Sequence, residues 1–581
     1  MKVSDHIANI LAKHTSIVFG GQGSSVIHLV DSIKTHNKLE FIPGQSEQGS
    51  SLAADAYFRT SGKIGVTLGT SGPGILNFLQ GMACSYYDSI PSLYIAGAPV
   101  ISHLRKNKNI RQIGFQEMEV QNMVEPITKY SSIVLKINEI DYEFNKAIDI
   151  AFNGRMGPVL LELPDDLQRS QITKEKKIYY SIKKNKTKDK DLRIPEILKL
   201  IKKSKKPLIL LGNGIRLGNS VKLVKNFIKK NKIPYACSWG AADLFKSNDN
   251  LNAGSFGVAA TRFGNFALQK SDLLICLGIR LGTQIVGGDP KKFSPNSKKI
   301  LVDIDANEFK SQRLPKIDIK INSDINEFIS AINKNKLNLE IEEIKKWKQI
   351  IKDLKIQFPV LSKKNYSNNK FVDPYFFFKT LSHYVKDNST FIPDASANLI
   401  WTYQAFEILK KINMFTAFNH SPMGYSLAAS VGAYFGDKSK LVTAIIGDGS
   451  VPMNVQELET IKNHNVNVKI FVINNRGYSL IKQTQETWLE SRYAGVDKSS
   501  GLSLPDNCKI AKSYGIKSMI IKNNKDLHIK LKKIYQIKGP LLIDVRVDPG
   551  SRVAPKIDYG KPLHDMSPSL SNEIIKEILD K

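Results

Sequence analysis

Cysteine is scarce in this chain, with 4 among 581 residues. Cys84, Cys237, Cys276 and Cys508 lie far apart with no CxxC pair, which excludes a disulfide framework or a zinc site of ordinary spacing and fits a reducing compartment. Long apolar runs are missing too: no stretch could span a bilayer. The opening MKVSDHIANILAKH has apolar residues at helical spacing but no unbroken apolar centre, so it reads as an amphipathic helix of the mature protein and not as a signal peptide. A cytoplasmic protein without a membrane partner is the expectation. Acidic residues are also in deficit, 54 Asp+Glu against 84 Lys+Arg, for a net charge of +30. Gathered in one arm, that excess would signal nucleic acid. Instead the lysines are scattered over linkers and outer helix faces, for example Lys174, Lys176, Lys177, Lys183, Lys184 and Lys186. This reads as solvated surface with a mild pull on anionic ligands. A basic nucleic-acid-binding protein is the remote alternative, and no nucleic-acid partner is expected.

What is present is material for several cores. At this length one core does not suffice, and three or four domains are expected. The apolar fraction of 42% and aromatic fraction of 9% are those of a globular protein. Short β-rich runs such as SIVFG, KIGVTLG, PSLYIAGAPV and GPVLLELP alternate with amphipathic stretches over residues 1–168, the pattern of a parallel α/β layer. A polar, Lys-rich linker follows at 169–191. A second α/β block spans 192–333, a second linker 334–370 that includes the charged helix IEEIKKWKQIIKDLK, a third block 371–550, and a tail 551–581. The fold class is α/β, with three doubly wound parallel-sheet domains, and a shared topology of the first and third is the expectation.

The sharpest local signal is LVTAIIGDGS, the helical stretch NVQELETIKNH, then VKIFVINNRGYSL. This strand, helix, strand unit puts Asp448 and Asn475 at the carboxyl ends of two parallel strands, where open α/β sheets bind ligands. A carboxylate, an amide oxygen and a loop carbonyl at Gly477 match the hard oxygen set that Mg²⁺ shares with ligand phosphates. Gly447 and Gly449 let backbone approach a diphosphate, and Ser450 offers donors at a positive helix end.

These residues resemble the thiamine diphosphate (ThDP) enzymes of the acetolactate synthase type, whose GDG...NN motif holds ThDP and Mg²⁺. SEQGSSLAADAYFRTSGKIGVTLGTSGPGILN is similar to that family's HEQGA...ATGKxGV...TSGPGATN, LVDIDANE to IDIDPAE, and SPMGYSLAASVGA to TMGxGLPAAIGA. The order of motifs matches over nearly the whole chain. The resemblance implies pyrimidine-binding, central and diphosphate-binding domains in that order. It makes Glu47 the carboxyl that bonds N1′ of the aminopyrimidine and so promotes loss of the thiazolium C2 proton. Burial would help that carboxyl share a proton. Met423 takes the place of the apolar side chain beneath the bent cofactor. Pro73 and Asn77 would line the pyrimidine end, with Ala395, Ser396 and Asn398 at the cofactor-loop positions. Gly23 and Tyr478 complete the cofactor-binding set. The two cofactor ends come from different chains in this family, which implies a homodimer or homotetramer with sites at the subunit interface.

The implied reaction is decarboxylation of a 2-keto acid, pyruvate by resemblance, with transfer to a second carbonyl compound. IGFQEMEV is similar to the family's AFQE segment, making Phe115 and Gln116 candidates for the substrate pocket. Three departures bear on specificity. GYSLIKQ stands where the family has GMVxQWQ, so Lys482 replaces a pocket tryptophan; a cation there would suit a phosphorylated or nucleotide-linked acceptor, with a side chain pointing to solvent as the plain reading. The tail PKIDYGKPLHDMSP resembles relatives associated with surface-polysaccharide sugars, which makes a keto-sugar nucleotide of that synthesis the alternative acceptor. A simple decarboxylase is the other alternative. Arg280 in LGIRLG keeps one position of the family's flavin-contacting LGxRFDD, but Leu281, Gly282 and Thr283 replace the rest and GVAATRFGN replaces GMHGTxYAN, so FAD stays open. Ser46 stands where the family motif opens with histidine, which removes an imidazole from that place.

Overall fold

The computed structural model describes residues 1–105, 107, 109–172, 178, 180, 191–335, 337, 339, 341–367 and 370–580. Most of the 169–191 linker, with the lysines named above, lies outside the described residues. Three six-stranded parallel sheets follow one another along the chain. The first consists of β1 (Ile17–Gly20), β2 (Glu40–Pro43), β3 (Gly65–Gly69), β4 (Ser92–Ala98), β5 (Tyr130–Ile133) and β6 (Val159–Pro164), in the order β2-β1-β3-β4-β6-β5. The second consists of β7 (Pro207–Leu211), β8 (Tyr235–Cys237), β9 (Asn252–Ser255), β10 (Leu273–Leu277), β11 (Lys298–Asp303) and β12 (Ile319–Asn322), ordered β12-β11-β10-β7-β8-β9. The third consists of β13 (Ser389–Pro393), β14 (Ile412–Met414), β15 (Val442–Gly447), β16 (Val468–Asn474), β17 (Lys517–Ile521) and β18 (Leu541–Arg546), ordered β14-β13-β15-β16-β18-β17. Counted within each sheet, the first and third orders are identical, and the second is the dinucleotide-fold order.

Strands such as SLYIAGA and VTAIIG are buried nearly throughout because helices cover both sheet faces. Topology then fixes where ligands go. The strand order reverses between β1 and β3, between β7 and β10, and between β13 and β15, and the loops leaving those strand ends diverge to form a crevice.

The first and third blocks share one core. The Glu47–Ser61 helix lies against the Tyr425–Gly436 helix, with Leu52, Ala53, Ala56 and Tyr57 buried in one cluster with Tyr425, Ala428, Ala429 and Ala433. Small residues allow the approach: a Cβ on Gly432 would sit 1.8 Å from the Ala53 carbonyl oxygen. Within the span read as the second linker, the Ile341–Gln357 helix packs back on the central block. Trp347, Ile351 and Leu354 are buried there, and the Trp347 indole donates to the Pro207 carbonyl at 3.0 Å. The tail joins the same core through Ile557, Leu563, Met566 and Ile578, after Arg552 pairs with Glu486 and Gln483 exchanges hydrogen bonds with the Val553 backbone. Among the described residues no helix is long and apolar enough to cross a membrane.

Candidate active site

The parallel register of β15 and β16 sets Gly447 beside Ile473. Asp448, one residue past Gly447, and Asn475, two past Ile473, therefore stand at adjoining strand tips, as their spacing predicts. Asp448 is 4% exposed. Its Oδ1 accepts from Gly449 N at 2.9 Å and its Oδ2 from Gly477 N at 3.2 Å. Burial pushes its carboxyl up to about 7 against the pull of those N–H donors, and a cation beside it would restore the ionised state. Asn475 Oδ1 is buried with no hydrogen-bond partner, and so are Asn398 Oδ1 and Ser426 Oγ. Each buried orphan costs about 1–3 kcal/mol, which a metal ion or a donor-bearing ligand would recover. A carboxylate beside a bare amide oxygen is the donor set Mg²⁺ takes alongside a diphosphate, so the residues fit both groups.

The remaining predicted positions of this edge fall around that point, with two refinements. Ser450 precedes a 3-10 turn, Val451–Met453, and the α-helix begins only at Glu457; Ser450 thus does not open a long helix, and its side chain bonds Asp394 instead. Gly449 makes room for Tyr478, whose ring would lie 2.1 Å from a Cβ there. Ala395 and Ser396 open the Ser396–Ala405 helix, Ser396 at φ +69°, while Asn398 donates to the Ala395 carbonyl at 2.8 Å and lies against Gly447. Met423 is half-buried and precedes Gly424, which packs on Met453, Asn454 and the Ser450 carbonyl.

The other edge gathers at the switch point of the first sheet. Glu47 opens its helix, Asn77 Nδ2 donates to Glu47 Oε2 at 3.0 Å, and Gly21 and Gly74 lie against Glu47 Oε1. Pro73 begins the short Pro73–Leu76 helix, and Gly23 packs on Thr70. Glu47 is half-buried rather than fully buried in the single chain. Gln116, at φ +60°, touches Gly72 and so joins this edge, and Phe115 projects with 82% of its surface exposed. A non-glycine residue held at positive φ is strained backbone, a feature that gathers at functional sites. The carboxylate of Glu117 holds the turn by accepting from Ile113 N and Gly114 N.

Lys482 neither points to solvent nor offers a free charge. Its ammonium bonds Asp497 Oδ2 at 2.6 Å and lies 4.7 Å from the centre of the Tyr493 ring, and this hydrogen bond holds the Asp497 carboxyl well below the usual carboxylate range. Arg280 is also engaged: its guanidinium donates to Asn419 Oδ1 of the third block. At the central switch point Gly214 N donates to the Gly278 carbonyl at 2.9 Å, and a Cβ on Gly212 would lie 2.1 Å from that carbonyl oxygen. The two loops thus pack backbone on backbone, and Trp239 beyond β8 stacks on Tyr403. A cavity of about 360 Å³, lined in part by Arg280, Thr283, Glu308 and Arg313, belongs to the central block and to neither site edge.

Sequence reasoning missed the residues that brace the two edges. Asp394, fully buried, accepts from Gly424 N and Ser426 N, each at 3.0 Å. Glu457 accepts from Ser46 N at 3.1 Å and from Ser46 Oγ at 3.2 Å, and Gln48 Nε2 donates to Asn454 Oδ1 at 3.2 Å. The start of the Glu47 helix is thereby tied to the segment that follows Asp448. Asp394 had a visible signal, an acid one residue beyond a strand; Glu457 looked like any helix-face acid.

Family comparison agrees with this arrangement. Residues 1–123 match the thiamine pyrophosphate enzyme N-terminal TPP binding domain, 194–332 the central domain and 394–545 the C-terminal TPP binding domain. The chain belongs to the thiamine pyrophosphate enzyme family, and a thiamine diphosphate-dependent enzyme is what these domains define. Among its relatives are acetolactate synthase large subunits. That of Buchnera aphidicola (subsp. Schizaphis graminum) is 31% identical over 575 residues, covering 96% of this chain and 97% of the relative. That of Porphyra purpurea is 29% identical over 559 residues, 94% and 91% of the two chains. The isozyme 1 large subunit of Escherichia coli K12 is 29% identical over 553 residues, 94% and 93%.

Proposed function

We propose that this enzyme decarboxylates a 2-keto acid, pyruvate in the first instance, and joins the remaining unit to a second carbonyl compound in the manner of acetolactate synthase. The observation that carries the reading is the buried, unpartnered Asn475 Oδ1 beside the buried Asp448 carboxylate at adjoining strand tips. Bound ThDP would supply the electron sink for loss of CO₂. Asp448, Asn475 and the Gly477 carbonyl would hold Mg²⁺ against the diphosphate, with Gly447, Gly449, Ser450, Asn398 and Ser426 around it. Glu47, oriented by Asn77, would hold the proton at N1′ of the aminopyrimidine. Met423 would support the cofactor from below, and Phe115 and Gln116 would face the substrate.

The assembly reading follows from exposure. Glu47 is half open, and its edge carries the exposed side chains of Leu76, Ile113 and Phe115. A second copy covering that edge would desolvate the carboxyl and bury the apolar groups, so a homodimer is the smallest active unit we propose, a homotetramer being two of these. Because Lys482 is paired with Asp497, it does not offer its charge to a phosphate, and a second 2-keto acid is the acceptor we favour over a keto-sugar nucleotide. Arg280, the one flavin-motif position kept, is turned to Asn419, and we take ThDP and Mg²⁺ as the cofactors of the reaction, with no role assigned to FAD. The cysteines are unpaired, and three of them are buried, in keeping with a reducing, cytoplasmic setting.

The test is CO₂ release from pyruvate with ThDP and Mg²⁺, comparing the wild type with Glu47→Gln, followed by the product mass with a second pyruvate, 2-ketobutyrate or a keto-sugar nucleotide as acceptor. Equal rates in the two proteins would remove Glu47 from the mechanism, and a sugar-nucleotide adduct would overturn the acceptor assignment.

A further inference from the structure

Residues 415–424 lead from β14 to the Tyr425–Gly436 helix and carry Met423 near their end. One end of this segment is fixed inside its own block, by Asp394 on the Gly424 and Ser426 amides and by Asn454 Nδ2 on the Gly424 carbonyl at 3.1 Å. The other end is fixed by a different block. Asp88, the last residue of the Leu79–Asp88 helix, accepts from Phe418 N at 2.8 Å and Arg59 Nη2 at 2.8 Å through Oδ2. Its Oδ1 accepts from Asn419 N at 3.1 Å and Asn419 Nδ2 at 2.6 Å. Asn419 Nδ2 also donates to the Tyr87 carbonyl at 3.1 Å, and the His420 ring stacks on Tyr87. Arg59 is held in turn by Asp55 at 2.7 Å, and Tyr425 donates to Asp55 at 2.6 Å.

The side chains of Asp88 and Arg59 are 1% and 5% exposed. A buried ion pair gains little stability over well-packed apolar residues of the same volume, so stability alone does not account for this one. Its geometry does: the carboxylate spends its acceptors on the backbone of a loop from another block. Arg59 lies on the same helix that begins at Glu47, twelve residues on, or roughly 18 Å along the axis.

We propose that Asp88, with Arg59 as its counter-ion, is a positioning residue that sets the height of residues 415–424 and hence of Met423 against the cofactor cleft. The proposal rests on the reading of Met423 as the support beneath ThDP. One N-block helix thus presents the acid at its start and, through Arg59 and Asp88, adjusts the cofactor support at its end.

Three variants in the full chain test this: Asp88→Asn, Asn419→Ala and Met423→Ala, with the Asp88→Asn/Met423→Ala double. A misplacement well under 1 Å is enough for Asp88→Asn to lower kcat by about tenfold at unchanged KM for pyruvate. In the Met423→Ala background the same change would cost less than about twofold, since both act through one side chain. Should Asp88→Asn fail to fold, the exposed Asn419→Ala stands in, with about a threefold loss of kcat at unchanged Tm. Wild-type kcat in whichever variant folds overturns the proposal, and so does a tenfold loss that persists in the Met423→Ala background. Titration with ThDP and Mg²⁺ separates the two levels: Asp448→Ala and Met423→Ala binding ThDP as the wild type does would sink the cofactor-site reading itself, whatever Asp88→Asn shows.

Discussion

The first and third sheets have the same strand order and place their functional loops at the same switch point, yet the two edges differ in how finished they are. On the third, Asp448 and Asn475 are buried and already brought together, and the lone pairs left over are those a cation would take. On the first, Glu47 is half open, tethered by Asn77, and fringed by exposed apolar side chains. On the proposed function, one topology serves two physical tasks. Holding a metal diphosphate needs convergent oxygens in a dry pocket, which a single sheet edge can supply. Sharing a proton with a ring needs a carboxyl whose surroundings close around the ligand, which this edge lacks until something covers it.

The sharpest break in that comparison would come from Asp448→Ala. Turnover should fall by at least ~10³-fold, the several kcal/mol a metal clamp supplies. The thermal stabilisation by ThDP with Mg²⁺, about 2.7 kcal/mol at a hundred times Kd, should vanish from the melting curve. Glu47→Gln should lower CO₂ release by ~10²–10³-fold, the range of a positioned acid or base, while keeping that stabilisation; losing both would mean the two edges are not separable. A third test concerns a carboxyl of the first sheet that the mechanism does not use. Burial pushes Glu162, which accepts from Gln121, up to about 8 from 4.5. The folded chain thus binds its proton more tightly than the unfolded chain, so its contribution is complete below about pH 4.5 and is lost as pH rises through about 8. Wild-type stability should fall over that window by an amount on the order of 1 kcal/mol or more, and Glu162→Gln should flatten the profile; parallel profiles would refute the assignment. The smallest effect is expected from Lys482→Met, within about threefold in acceptor KM, because its charge is already balanced by Asp497. A tenfold loss confined to phosphorylated acceptors would reverse the conclusion drawn from the ion pair.

Much of this was legible before any coordinates. The βαβ spacing of GDGS and NN brings Asp448 and Asn475 to adjoining tips, because a parallel crossover leaves no other arrangement. The likeness of the first and third blocks shows as an identical strand order. What did not show were pairings across blocks, Glu457 with Ser46 and Asp88 with Asn419. Each joins residues whose types are ordinary in their local context, and only the packing of one block on another gives them partners. The Ile341–Gln357 helix was legible as a helix, but its packing on the central block was hidden for a related reason. Its charged face dominates the composition, and the apolar stripe of Trp347, Ile351 and Leu354 acquires meaning only against the central sheet.

The path of the last thirty residues has a practical consequence. After leaving β18 the chain first braces the Ser479–Trp488 helix through Arg552 and the Val553 backbone, then seats Ile557, Leu563, Met566 and Ile578 on the central block. Cutting at residue 550 would strip the Ser479–Trp488 helix of its outer support and uncover an oily strip on a neighbouring block. Shortening at this end is therefore expected to lower Tm and invite clumping together, and affinity handles are better placed at the other terminus.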